Sequence, residues 1–169
     1  MEKETAYGQA TSSRNSEIVH AGIYYPRGSL KAELCVKANP IIYEICERQG
    51  VPHRRLGKIV VANGEEEIRQ IEGIMKNATA CGARGLELID ADRIHELEPR
   101  VRADAAILSP TTGIVDAHGL MDHFYRKARR KCETDPLVLG TEVTGLEQGG
   151  DGYVVEMVSG GEEFEVEVG

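Results

Sequence analysis

The sequence predicts a mixed α and β protein of the α+β class that ends in a three-stranded antiparallel meander. Between residues 30 and 132, stretches with apolar residues at helical spacing alternate with short apolar runs suited to strands. From Thr141 onward, three short runs are separated by glycine-rich turns, a pattern that favours antiparallel pairing of neighbouring strands. Residues 5–29 show no sustained periodicity, and we expect an extended functional loop there.

The first helix is predicted from about Leu30 to Gln49, where apolar residues recur at helical spacing. Ser29 is the expected N-cap and Gly50 the expected stop, because these residue types favour helix ends. Pro40 has no N–H group and crowds the preceding turn. We therefore expect a kink at Pro40, or a break at which Asn39 caps a second helical segment.

A strand and a second helix are predicted next. The run Leu56–Ala62 is predominantly apolar and predicts a strand. Asn63 and Glu66 have the spacing of a capping box, with Asn in place of Ser or Thr, so a helix should start here and end near Gly82. One face of this helix carries Ile68, Ile71, Met75 and Ala78.

Shorter elements follow up to the meander. Leu86–Ile89 and Ala105–Leu108 predict strands, and Asp90 is the expected cap of a short helix that ends at Leu97. A further helix is predicted from about His118 to Cys132, with Met121, Phe124 and Ala128 on one side. The meander strands are predicted at Thr141–Glu147, Tyr153–Val158 and Phe164–Val168.

Composition favours a soluble intracellular protein. With 169 residues, of which 41% are hydrophobic, the chain can form a sizeable core in one domain or in parts of two. Its formal net charge of −8 argues against nucleic acid and against an anionic membrane surface as partners. No apolar run approaches the ~18 residues of a membrane span. The N-terminus also lacks the basic and apolar regions of a signal peptide.

The four cysteines are scattered along the chain and include no C-x-x-C pair. Metal or redox chemistry would need two of them close together, or histidines at suitable spacing. We therefore expect reduced, mostly packed thiols and a cytoplasmic location. These residues are Cys35, Cys46, Cys81 and Cys132.

The run Thr11–Ser16, followed by His20–Pro26, is the strongest candidate for a functional segment. It gathers four hydroxyl-bearing side chains, an Arg and an Asn, then a His, a Gly and two Tyr. Hydroxyls, backbone amides and a guanidinium can all donate hydrogen bonds to phosphate oxygens. This mixture favours a loop that wraps an anionic, aromatic ligand. A polar surface loop without a ligand is the alternative.

The segment TSSRNSEIVHAGIYYPRGSLKAELC, residues 11–35, resembles the N-terminal signature of the L-2-hydroxyglutarate dehydrogenase/oxidase group of FAD-dependent oxidoreductases, within the D-amino-acid-oxidase-like superfamily. The resemblance continues in the blocks Gly57–Ala62, Leu97–Pro99, Ser109–Leu120 and Leu139–Val143. It implies oxidation of a small 2-hydroxy acid by hydride transfer to FAD, with L-2-hydroxyglutarate as the leading substrate.

The same resemblance implies a partial FAD-binding domain of the glutathione-reductase type with inserted substrate-domain elements. It assigns residues 1–50 to the FAD-binding region, 51–112 to the substrate domain, and 113–169 to the return into the FAD domain as helix plus meander. The Gly-x-Gly-x-x-Gly turn of that group is absent, since Gly150–Gly152 comes nearest but has Val155 at the third position. We therefore expect an internal segment that starts after this fingerprint and ends before the sheet is complete, and we expect the chain by itself to bind FAD weakly or not at all.

Site residues follow from the resemblance. Met1–Glu4 aligns with the end of the family's second strand, which makes Glu2 the acid that bonds the adenosine ribose. His20 is placed beside the flavin, where a histidine suits the base that takes the substrate's hydroxyl proton. Without the resemblance, a hydrogen-bonded structural His is the commoner case. The implied FAD contacts are Glu2, Thr11, Ser12, Ser13, Arg14, Asn15, Ser16 and Val143.

Tyr24 and Tyr25 are candidates for substrate contact. In an extended segment they point to opposite sides, so we expect at most one to face the active site and the other to lie in the core. Arg27 and Lys31 could supply positive charge for a dicarboxylate substrate, although a solvated face is the simpler interpretation of each.

We expect no bound metal. His118 and Asp122 are four residues apart and would share a helix face, with Asp116 and His123 nearby. The resemblance instead implies that Asp116 caps the helix where the chain re-enters the FAD domain.

Two functional hypotheses remain open. The first is a segment of an FAD-dependent oxidoreductase, with FAD held in the full-length parent. The second is a cofactor-free, inactive fragment that serves at most as a binding or assembly module. In either case, exposed sheet edges could pair with a second copy of the chain.

Overall fold

The computed structural model describes all 169 residues and shows two compact units, one of Met1–Asn15 with Met121–Gly169 and one of Ser16–Leu120. The helices are α1 (Leu30–Gln49), α2 (Gly64–Ala80), α3 (Ala91–Leu97) and α4 (Ala117–Arg129). The strands are β1 (Ile18–Val19), β2 (His53–Arg54), β3 (Lys58–Ala62), β4 (Glu87–Asp90), β5 (Ala105–Ser109), β6 (Gly113–Val115), β7 (Thr141–Gln148), β8 (Tyr153–Ser159) and β9 (Glu162–Val168). The predicted mixed α and β class is confirmed.

The unit Ser16–Leu120 contains two three-stranded antiparallel sheets, in the orders β1-β6-β2 and β3-β5-β4. The helix α2 packs on the second sheet through apolar side chains. The helix α1 contributes an aromatic ring and a thiol to a second buried cluster, which also includes a residue of β1. The buried residues are Ala62, Ile71 and Ile107 in the first cluster, and Val19, Tyr43, Cys46, Val51 and Val115 in the second.

The helix α1 begins and ends where the sequence predicts. Ser29 accepts a hydrogen bond from a backbone N–H of the first turn at 3.2 Å, and Gly50 ends the helix with a φ of 69°. Of the two alternatives expected at Pro40, the break is wrong, because one continuous helix runs through it, and the kink stays a prediction. Asn39 therefore caps no second segment, and its side-chain amide makes tertiary hydrogen bonds instead.

The sequence predicts the N-cap residue of α2 correctly but not the hydrogen bonds of the cap. Asn63 is the N-cap residue, but its side chain makes no capping hydrogen bond. Its N–H donates to the carboxylate of Glu67 at 2.7 Å, and the following N–H donates to Asp104 at 2.8 Å. Glu66, the expected member of the box, pairs with Arg69 at 2.7 Å. Acidic side chains thus accept hydrogen bonds from the N–H groups at the start of α2, but these side chains are not the ones that the capping-box spacing predicts.

The remaining elements of this region differ from prediction mainly in length. Asp90 caps α3 as expected, by accepting a hydrogen bond from a backbone N–H at 2.9 Å. The helix α4 ends at Arg129, short of the predicted Cys132. Residues 5–29 are not extended throughout, because turns occupy residues 7–13. The short strand β1 lies further along the same stretch. The strands β1, β2 and β6 are short and were not predicted, since they exist only through pairing with one another.

The other unit contains the predicted meander. Its strands pair antiparallel in the order β7-β8-β9, with a bulge between Val143 and Gly145. A parallel bridge joins Glu2 to Leu139. Neither unit has a helix with the length and hydropathy needed to cross a membrane. The three-part division into family domains made from the sequence stays a prediction.

Candidate functional site

His20 follows directly on β1, and the strand determines its direction. Val19 is 2% exposed and packs in the core, so the alternation of a strand turns His20 outward. The next residues, Ala21–Ile23, are buried again. His20 is therefore an accessible side chain on a firmly packed backbone, which is the arrangement that a positioned base requires.

Asn39 anchors the backbone at His20. This α1 residue is 7% exposed, and its Nδ2 donates to the carbonyl oxygens of His20 at 3.2 Å and Thr111 at 2.9 Å. The hydroxyl of Tyr43, one turn further along α1, donates to the same Thr111 carbonyl at 3.0 Å. The buried side of α1 thus ties the residue after β1 to the loop before β6.

Two lysines lie over two tyrosines next to His20. Lys58 Nζ is 4.6 Å from the centre of the Tyr24 ring, and Lys31 Nζ is 4.7 Å from the centre of the Tyr25 ring. The Tyr25 ring lies edge-on to the imidazole, with 6.3 Å between ring centres. Tyr24 is 45% exposed and Tyr25 is half-buried. The expectation that one tyrosine lies in the core is therefore wrong.

The surroundings of His20 lower its pKa below the ordinary value of 6.5. Partial burial is the largest cause, even though much of the residue is exposed, and the charges of Lys58 and Lys31 lower the pKa further. The imidazole is therefore neutral at physiological pH. A neutral imidazole can accept a proton from a substrate hydroxyl, while the neighbouring ammonium groups can attract an anion.

The polar segment up to Asn15 lies in the other unit and forms compact turns. Asn15 Nδ2 donates to the carbonyls of Thr11 and Ser12 at 3.2 Å and 2.9 Å. The hydroxyl of Ser13 donates to a carbonyl at the start of the same turn at 3.3 Å. The guanidinium of Arg14 has no carboxylate oxygen within 4.0 Å. Exposed hydroxyls and an unpaired guanidinium are therefore available to an anion.

Glu2 and Val143 belong to the same unit as this segment. The N–H of Glu2 donates to a carbonyl of the segment before β7 at 2.8 Å, and its carboxylate accepts a hydrogen bond from the N–H of Glu4 at 3.0 Å. Val143 lies on β7, is 50% exposed and pairs with Met157 of β8. The predicted site residues are therefore divided: Glu2, Thr11, Ser12, Ser13, Arg14, Asn15 and Val143 lie in one unit, and Ser16, His20, Tyr24 and Tyr25 in the other.

The donor set of the first unit suits the polar parts of FAD. Hydroxyl groups and a guanidinium match a pyrophosphate, and a half-buried carboxylate such as that of Glu2 matches a ribose hydroxyl. The residues present thus fit the cofactor chemically.

Glu17, Asp116 and His118 come together at the start of α4, with ligand atoms within 4.8 Å of one another. Both carboxylates support the helix: Glu17 accepts a hydrogen bond from the N–H of Ala117 at 3.1 Å, and Asp116 from that of Gly119 at 3.0 Å. The expected capping role of Asp116 is confirmed. The absence of a bound metal stays a prediction.

Sequence reasoning missed Lys58 and Asn39. Lys58 is the charged residue that opens the apolar run of β3, where it is half-buried. Asn39 is the polar residue on the buried face of α1. A polar residue at a buried helical position has a hydrogen-bond partner in most proteins. That rule could have identified Asn39 as a tertiary contact.

Comparisons with known proteins agree with the resemblance seen in the sequence. The family model of the FAD dependent oxidoreductases (DAO) matches residues 1–168. The chain is 40% identical over 121 residues to the mitochondrial L-2-hydroxyglutarate dehydrogenase of Arabidopsis thaliana, covering 72% of this chain and 25% of that protein. It is 43% identical over 116 residues to the protein of the same name from Caenorhabditis elegans, covering 69% and 27%. The chain thus spans about a quarter of the length of these relatives.

Solved structures show the same fold at lower identity. The dithionite-reduced, FAD-bound L-α-glycerophosphate oxidase of Mycoplasma pneumoniae has a TM-score of 0.77 and 22% identity, over 91% of this chain and 41% of that one. The glycine oxidase of Geobacillus kaustophilus has a TM-score of 0.71 and 22% identity, over 96% and 45%. The predicted fold, part of that of the FAD-dependent oxidases, is confirmed.

Proposed function

Since the chain belongs to the FAD-dependent oxidoreductase family, we propose that it is part of an enzyme that oxidises a small 2-hydroxy acid, with L-2-hydroxyglutarate as the leading substrate. One observation carries the proposal: an accessible His20 with a lowered pKa lies beside two lysines. A base next to positive charge suits the oxidation of a hydroxy acid, which must lose a hydroxyl proton while its carboxylate is held.

His20 is the base in this proposal. FAD, when bound, supplies the acceptor for the hydride that leaves the carbon bearing the hydroxyl group. His20 takes the proton of that hydroxyl on its neutral imidazole, and Asn39 keeps its backbone in place. One of the two rings, that of Tyr24 or that of Tyr25, contacts the substrate beside the lysine that lies over it.

The polar segment binds the cofactor in this proposal. The hydroxyls of Thr11, Ser12 and Ser13, with Arg14 and Asn15, donate to the pyrophosphate and the polar edge of the flavin. The FAD contact of Ser16, which belongs to the other unit, stays a prediction. Glu2 accepts from a ribose hydroxyl, and Val143 contributes an apolar contact from β7.

Anaerobic flavin reduction tests this function. The whole FAD-loaded protein that contains this chain is mixed with L-2-hydroxyglutarate, and the loss of flavin absorbance is followed by stopped flow. We expect bleaching with the L enantiomer and none with the D enantiomer. A flavin that stays oxidised with L-2-hydroxyglutarate and with other small 2-hydroxy acids would exclude the proposal.

The cofactor-free alternative rests on the absence of the Gly-x-Gly-x-x-Gly turn from the chain. In either case, pairing of two copies through exposed sheet edges stays a prediction, as does the lack of a nucleic-acid partner. A cytoplasmic location also stays a prediction, and the matched relatives are themselves named as mitochondrial.

A further inference from the structure

We propose that Lys58 and Lys31 form an anion-binding pair that selects dicarboxylic substrates at His20. This inference rests on the proposed function and deepens it, because it names the residues that distinguish a 2-hydroxy dicarboxylate from a 2-hydroxy monocarboxylate. Lys58 is the principal member of the pair and Lys31 the second.

Lys58 has a fixed backbone position, and its ammonium group has no acidic partner within the chain. It opens β3, where it pairs with Ser109, and the N–H of the preceding Gly57 donates to the carbonyl of Thr112 at 2.9 Å. Its half-buried side chain ends over the ring of Tyr24. No carboxylate oxygen lies within 4.0 Å of its ammonium group. A cation seated on an aromatic face and left without an acidic partner is free to bind an anion.

Lys31 is unpaired in the same way and lies at an unfavourable place for a cation. It belongs to the first turn of α1, two residues after the cap Ser29, where the helix dipole is positive. The ion pairs that do form within α1 join residues four apart, as between Lys37 and Glu33 at 2.7 Å. Lys31 has Cys35 at that spacing and no carboxylate oxygen within 4.0 Å. The acidic side chain of this turn, Glu33, pairs with Lys37, so Lys31 has no acidic partner at the start of α1.

The charge around His20 differs in sign from the net charge of the chain. The chain has 28 acidic and 20 basic residues and a formal net charge of −8. Both lysines nevertheless lie close enough to His20 for their charges to lower its pKa, and no acidic group contributes to that shift. The space beside the candidate base is therefore positive within an acidic protein, which favours an anionic ligand.

The arrangement of the two cations favours a dicarboxylate. The ammonium groups come from different elements, β3 and α1, and rest on different rings, those of Tyr24 and Tyr25. An anion with two separated carboxylates can use both at once. A monocarboxylate can use only one of them. Each additional charge-assisted hydrogen bond contributes about 1.5–3 kcal/mol, so loss of one cation should weaken binding roughly tenfold or more.

The first test measures binding without chemistry. Glutarate has two carboxylates but no hydroxyl to oxidise, and it is titrated into the full chain while the imidazole resonances of His20 are followed by NMR. We expect saturable shifts, a dissociation constant about tenfold higher in Lys58→Met, and substantial recovery in Lys58→Arg. Lys76→Met, which changes an exposed lysine of α2 in the same unit, should match the wild type. Thermal unfolding of each variant verifies that it is folded.

Three results would overturn the inference. The first is the absence of any His20 shift with glutarate. The second is equal binding of glutarate by folded Lys58→Met and folded wild type. The third is binding of butyrate or inorganic phosphate as tight as that of glutarate. Each would show that the lysines do not select a dicarboxylate.

A second test separates this inference from the proposed function. In the whole FAD-loaded protein, Lys58→Met should raise KM for L-2-hydroxyglutarate about tenfold, with a much smaller change in kcat and in the parameters for 2-hydroxybutyrate. Flavin reduction that is insensitive to Lys58 would overturn the inference and leave the function standing. Lys58-dependent glutarate binding without flavin reduction by any hydroxy acid would support the anion site and overturn the function.

Discussion

At the scale of single residues, His20 is where the proposed chemistry is most easily tested. We expect His20→Asn to lower the rate of flavin reduction by about 10²–10⁴-fold in the whole FAD-loaded protein, since this is the usual contribution of a positioned base. His95→Asn, which changes an exposed histidine of α3, is the matched control and should leave the rate unchanged. Wild-type turnover in His20→Asn would remove this residue from the mechanism.

The pKa of His20 makes a separate prediction about pH. Its folded-state pKa lies below 6.5, so the unfolded chain takes up a proton at higher pH than the folded chain does. The contribution of His20 to the free energy of unfolding is therefore fully present above pH 6.5, the ordinary pKa of the unfolded chain. It is lost as the pH falls from 6.5 through the lower pKa of the folded chain. Urea unfolding at several pH values should show this loss, and His20→Asn should show less of it.

The groups that face His20 allow a sharper measurement. They are Lys58 of β3, Lys31 of α1 and the ring of Tyr25. Removal of one positive charge in Lys58→Met should move the pKa of His20 upward, toward its ordinary value, in an NMR titration of the imidazole. A wild-type pKa at or above 6.5 would contradict the electrostatics described for this site.

The site could be predicted from the sequence only where the signal is local. His20, Tyr24 and Tyr25 stand together in one polar run, so the run itself identified them. Lys58 and Asn39 are separated from that run in the sequence and reach it through β3 and α1. Their roles depend on tertiary contacts, which local spacing does not contain.

At the scale of elements, β6 depends on a glycine that has no room for a side chain. A Cβ at Gly113 would collide with the carbonyl oxygen of Arg54 and the hydroxyl of Tyr43. Gly113→Ala should therefore lower the free energy of unfolding by about 1–3 kcal/mol in urea titrations. Gly73→Ala on α2 has open space around it and should raise that free energy by about 0.5–1 kcal/mol. Equal effects of the two substitutions would contradict the packing of β6.

The two long helices give a second matched pair of substitutions. Ser29→Ala removes a side chain that caps α1 and should cost about 1 kcal/mol of stability. Asn63→Ala removes a side chain that makes no capping bond to α2 and should cost less than about 0.5 kcal/mol. Denaturant midpoints of both variants measure the difference. A larger loss for Asn63→Ala would show that the capping box suggested by the sequence forms in solution.

Helices and long strands were predictable because their signals are local. The ends of α1 are marked by Ser29 and Gly50, and the meander by its glycine-rich turns. The two-residue strands β1 and β2 carry no periodicity and become strands only by pairing with β6. The break expected at Pro40 was wrong because packing of α1, through residues such as Tyr43 and Cys46, outweighs a local preference.

At the scale of the whole molecule, the fold was predictable through its resemblance rather than through periodicity. Helix and strand patterns alone indicate a mixed α and β class, which many unrelated proteins share. The blocks at residues 11–35 and Ser109–Leu120 identify the family by resemblance. The family model and the relatives then show that the chain belongs to it. The division of the site residues between two units follows from neither signal, because it depends on how distant segments group in space.

Cofactor retention by the chain alone is the last prediction. The polar segment and Glu2 offer hydrogen-bonding groups for FAD, but the chain has no Gly-x-Gly-x-x-Gly turn, whose backbone normally approaches the pyrophosphate closely. The purified chain should therefore be colourless, and FAD added to it should separate on gel filtration. The whole FAD-loaded protein, run in parallel, should keep its absorbance near 450 nm, roughly where oxidised flavins absorb. A stoichiometrically yellow chain would show that these 169 residues hold the cofactor without that turn, and it would overturn the prediction.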